Sequence, residues 1–110
     1  EADISMTGSK QREKPSAQER IEELRQRIDK IDRQLVGLLN DRARSAMEIG
    51  SLKHGLGIRV YQPDREKDVL RQVRSISRGP LTDEVLTRLF ERIIDEVRRL
   101  EDESEGDSGN

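Results

Sequence analysis

Between Glu19 and His54 the chain contains no proline, and Ile21, Leu24, Ile28, Ile31, Leu35 and Leu38 follow one another at alternating steps of three and four residues. That spacing is a heptad a/d seam and predicts one long helix over 19–54, with an apolar face that other helices must cover. At 1.5 Å per residue such a helix would be roughly 50 Å long, whereas a compact domain of 100 residues has a radius of gyration of about 13 Å. One chain of 110 residues is too small to cover it. The expected fold is therefore all-α, three helices per chain with a long first helix, paired into an intertwined helical homodimer.

The other two helices are shorter. One is expected over 63–77, with Val69, Leu70, Val73 and Ile76 inward. The other is expected over 82–101, with Leu86, Leu89, Phe90, Ile93, Ile94, Val97 and Leu100 inward. Pro63 suits a first helical turn, Gly79-Pro80 separates the two, and Thr82 is a natural N-cap. The long helix stops at Gly55-Leu56-Gly57, with Lys53 and His54 in the last turn, where cations suit the negative end of the dipole. Glu23 with Arg27 and Asp29 with Arg33 are i,i+4 partners on its solvent side, each worth about 0.2–0.5 kcal/mol. No segment reads as a strand and no internal repeat is present.

Composition narrows the function. Charged residues make up 40% of the chain and apolar ones 31%, with one Phe, one Tyr, no Trp and no Cys. Disulfide scaffolds, thiol nucleophiles and cysteine zinc sites are excluded. A net charge of -2 with interspersed signs argues against a nucleic-acid partner. No apolar run approaches the roughly 20 residues of a membrane helix, and residues 1–18 hold no hydrophobic signal segment. Absence of cysteine fits a reducing compartment, and the expected location is cytoplasmic. Residues 1–18 and the acidic 102–110 read as disordered tails around a domain of 19–101. Within 19–101 there are 18 basic and 16 acidic residues, so a small anionic ligand is electrostatically allowed.

Polar residues interrupt the apolar pattern at informative places. Arg42 occupies the seam position after Leu38, followed by Ser45, Ile49 and Leu52. An arginine in an apolar stripe must snorkel, fix coiled-coil register or meet an anion, because an unpaired buried guanidinium is costly. Arg25 and Lys53 flank the seam, where a solvated edge is the ordinary reading. Gln62-Pro63-Asp64-Arg65-Glu66 opens the middle helix, where Glu66 also suits the dipole. Glu101 continues the buried face of the last helix, or frays into solvent. His54, the only histidine, reads as a helix-end residue. Gly37 and Gly50 each cost a helix interior about 1 kcal/mol relative to Ala, which suggests close packing or simple tolerance. There is no phosphate loop, no Ser/His/Asp set and no metal-ligand spacing.

Together these segments resemble the all-helical class of chorismate mutases. The resemblance runs through 21–32 (IEELRQRIDKID), 38–42 (LLNDR), 48–53 (EIGSLK), 61–66 (YQPDRE) and 89–94 (LFERII), in the family's order and spacing over about 20–101. It implies an intertwined homodimer with two equivalent sites and no cofactor. Arg25 would be lent across the dimer, Arg42 and Arg65 would hold the two carboxylates of chorismate, and Lys53 would reach a carboxylate and the ether oxygen. Glu66, with the backbone near Gln62, would bind the ring hydroxyl, and Glu101 would be the second donor to the ether oxygen.

The implied reaction, chorismate to prephenate, is a one-substrate pericyclic rearrangement without a covalent enzyme intermediate. It needs a dianion held in a compact diaxial shape and negative charge stabilised on the ether oxygen. Arginine forks suit carboxylates and a lysine ammonium suits the oxygen. Two positions depart from the family pattern. Glu101 stands where many relatives have Gln, and it must be protonated to donate. Val97 stands where relatives often have Ser or Thr near a substrate carboxylate, and it offers no hydrogen bond. Rival readings are an isochorismate pyruvate lyase, with a similar cationic pocket, a non-catalytic helical dimerisation module, and a regulatory or localising domain of a larger enzyme.

Overall fold

Ser16 opens the first helix with a reciprocal cap. Its hydroxyl accepts the Glu19 N–H at 3.1 Å, and its own N–H donates to Glu19 Oε1 at 2.8 Å. This capping box satisfies two end donors at once, so α1 (Ala17–Leu56) starts two residues before the expected boundary. The computed structural model describes residues 15–59 and 61–108. The remainder of the expected N-terminal tail, 1–14, and residues 109–110 lie outside the described residues.

α1 ends as a Schellman turn. Gly57, at φ +73°, donates to the His54 carbonyl at 3.1 Å, and Ile58 donates to that of Lys53 at 2.8 Å. Only glycine adopts this left-handed conformation without strain. α2 (Pro63–Ile76) has Pro63 in its first turn. α3 (Asp83–Ser108) is capped by Thr82, whose hydroxyl accepts the Val85 N–H at 3.2 Å. It runs through 102–108, which the apolar pattern assigns to a disordered tail. Those residues carry no apolar side chain, so periodicity is silent there, yet extending an existing helix needs no new nucleus.

The chain divides between Leu39 and Asn40 into two units. In the first, Ile21, Leu24, Ile28, Ile31, Leu35 and Leu38 remain 39–65% exposed. Glu23 pairs with Arg20 at 3.1 Å rather than with Arg27. In the second unit, α2 and α3 pack together, and Arg74 Nη1 on α2 donates to Thr87 Oγ1 on α3 at 3.3 Å. Among the described residues, Val97 at 8% exposure is the only buried apolar side chain. The other apolar side chains among the described residues are partly covered or exposed in a single chain. Among the described residues no helix is long and apolar enough to cross a membrane.

Candidate active site

Within the second unit lies a cleft of about 290 Å³. One face of α1 supplies Arg42, Ser45, Ala46, Ile49, Gly50 and Lys53, spaced by threes and fours so that they stack along the helix. The start of α2 adds Gln62, Arg65, Glu66 and Val69, and α3 adds Ile94, Val97 and Glu101. Seven of the eight expected site residues thus meet in one concavity: Arg42, Lys53, Gln62, Arg65, Glu66, Val97 and Glu101. The eighth, Arg25, is exposed and belongs to the first unit.

Gln62 explains how α2 serves this cleft. It occupies the N-cap position with φ -131° and ψ 95° but makes no side-chain cap. Its amide oxygen instead accepts from Lys53 Nζ at 2.8 Å. An ammonium has three protons, and this bond engages one of them and steadies the lysine. The Arg42 guanidinium stands 6.0 Å from the centre of the Phe90 ring, at the outer reach of a cation–π contact.

Glu66 accepts from Arg98 on α3, and the Arg98 guanidinium also lies 4.5 Å over the Tyr61 ring and 3.3 Å from Asp95. Burial acts to lower the Arg98 pKa, but the hydrogen bond and charge of Glu66, with Asp95 and Tyr61 behind them, outweigh it and hold the pKa raised. Arg98 therefore ties the approach to α2 and its first turn to α3. No sequence signal marks it, because Glu66 is 32 residues away. Gly50, by contrast, carried a signal in its cost to the helix. A Cβ built there would overlap Glu101 Oε2 and stand 3.3 Å from the carboxyl carbon, whereas at Gly37 it would meet nothing within 4 Å.

The lining carries three cations against two carboxylates, a balance suited to a small anion. Among the described residues no group of three or more His, Cys, Asp or Glu is placed to hold a metal ion. The cleft offers dense hydrogen-bond donors and positive charge on rigid helices, which is the equipment for electrostatic stabilisation and substrate positioning.

An all-helical unit with a cationic cleft of this make-up has close counterparts. Residues 24–102 match the family described as chorismate mutase type II. The chain belongs to that family. Over 77 residues it is 46% identical to a bifunctional chorismate mutase/prephenate dehydratase of Neisseria gonorrhoeae, an alignment covering 70% of this chain and 21% of that protein. A chorismate mutase of Methanocaldococcus jannaschii is 29% identical over 84 residues, with 76% of this chain and 85% of that one covered. Among solved structures, chorismate mutase (Form II) from Thermus thermophilus superposes with a TM-score of 0.74 at 36% identity, covering 76% of this chain and 94% of that one. The chain spans 21–25% of the length of the bifunctional chorismate mutase/prephenate dehydratases it matches.

Proposed function

We propose that this chain is a chorismate mutase, rearranging chorismate to prephenate by electrostatic and conformational stabilisation. The observation that carries the reading is the convergence of Arg42, Lys53, Arg65, Gln62, Glu66 and Glu101 on one cleft, in a chain of the matching family. Arg42 and Arg65 hold the two carboxylates as guanidinium forks and lock the dianion in its diaxial shape. Lys53, steadied by Gln62, donates to a carboxylate and to the ether oxygen as the C–O bond lengthens. Glu66 takes the ring hydroxyl, and Glu101, in its protonated form, donates to the ether oxygen from the opposite side.

A homodimer completes this site. The half-exposed stripe from Ile21 to Leu38 is the face that a second copy covers, and the partner subunit's Arg25 supplies a further cation to the substrate. A cytoplasmic location is part of this reading, and the cysteine-free sequence is compatible with the reducing compartment it supposes.

Chorismate disappearance followed in the ultraviolet, with products separated by chromatography, tests the reading. Prephenate formation is the expected result. Pyruvate released from isochorismate without prephenate would transfer the chain to lyase chemistry, and neither product from a folded dimer would reduce it to a dimerisation module.

A further inference from the structure

Gly50 is buried, stands inside α1 where glycine is disfavoured, and lies one turn before Lys53 on the face that lines the cleft. What occupies the space its side chain would fill is the end of Glu101: a Cβ would overlap Oε2 and stand 3.3 Å from Cδ and 3.7 Å from Cγ. All three nearest atoms belong to that one flexible side chain, so an added methyl group would displace the carboxyl rather than the backbone. Gly55 on the same helix has nothing within 4 Å of its own Cβ position and is absent from the cleft lining. The two glycines share a helix and differ in what they face.

We infer that Gly50 is a positioning residue, a notch in α1 that seats the Glu101 carboxyl beside the turn carrying Lys53, so that both groups address the same atom of the substrate. The role at the substrate rests on the function proposed above; the notch itself rests on geometry alone. A Gln at 101 has the same shape and would use the same notch, whereas Ala would leave it empty.

Five proteins test this: the native chain, Gly50→Ala, Glu101→Ala, their double variant and the control Gly55→Ala. Alanine stabilises a helix interior where it fits. With Glu101→Ala in place, Gly50→Ala should therefore raise Tm by roughly 2–6 °C, while in the native chain it should raise Tm by much less or lower it. Equal shifts in both backgrounds would overturn the notch. Turnover is read next. Gly50→Ala should lower kcat with chorismate by roughly ten- to a hundredfold, as expected for a displaced catalytic group, with a smaller change in KM. It should add nothing to the loss already caused by Glu101→Ala, and Gly55→Ala should change neither constant. Losses that multiply in the double variant would overturn the positioning role. A native protein that forms no prephenate would remove the functional reading, and the thermal cycle would still decide the notch.

Discussion

Glu101 sets the most direct test at the level of single residues. Opposite an ether oxygen that gains negative charge, a carboxylic acid donates a hydrogen bond whereas a carboxylate repels. The groups sharing its cleft are Arg42 and Lys53 from α1 and Arg65 and Glu66 from α2. In the proposed mechanism the acid form of Glu101 is the active one, so kcat should be full at low pH and fall as that acid ionises in the complex. Glu101→Gln, which donates at every pH, should flatten that limb; a steady-state pH profile that keeps the same slope in the variant would refute the role. Arg98 makes a different prediction. Arg98→Met keeps a long stem to pack on Tyr61 but removes the cation that Glu66 and Asp95 share. The loss should cost about 1 kcal/mol in urea unfolding and raise KM severalfold with little change in kcat, because Glu66 loses its orientation without leaving the site. The contrast between Arg42 and Arg98 shows what local pattern can reveal. Arg42 is conspicuous because it breaks an apolar register, whereas Arg98 is one arginine among many until the fold carries Glu66 to it.

At the level of elements, most of the architecture is legible because each helix is punctuated by residues with a single structural use. Pro63 starts α2, Thr82 caps α3 and Gly57 closes α1 with its positive φ. One boundary that differs is informative. The start of α1 depends on Ser16 and Glu19, which form a capping box three residues apart without any apolar residue to mark it. The Ser16 backbone N–H, and then its hydroxyl, hold the Glu19 carboxyl below its ordinary pKa. A depressed pKa means that this contribution is full above the ordinary carboxylate range and is lost as pH falls through the lower, folded value. Amide protection over 17–20, measured against the intrinsic exchange rate at each pH, should therefore fall on acidification through that window. Glu19→Gln, which cannot ionise, should show the same protection at both ends of it, and a variant that retained the native pH dependence would show that the Glu19 carboxyl does not govern this end.

At the level of the whole molecule, the exposed apolar stripe of α1 and the role proposed for Arg25 converge on one arrangement. Ile21, Leu24, Ile28, Ile31, Leu35 and Leu38 are 39–65% exposed in a single chain, a surface that an isolated soluble helix rarely sustains, while Arg25 on the same helix lies outside the unit that holds the cleft. A two-fold dimer would cover the stripe and deliver the arginine in one step, because an isologous interface gives each subunit what it gives the other. Mixing two inactive variants separates this arrangement from one in which Arg25 serves its own cleft. In a heterodimer of Arg25→Ala with Lys53→Ala, one site combines an intact Lys53 with the partner subunit's intact Arg25, and the other carries both lesions. Random exchange makes half of the dimers mixed, each with one working site of two, so turnover should return to about a quarter of the native value. If each arginine acted within its own chain, every site in the mixture would keep one lesion and no activity would return, whatever the dimer's stability.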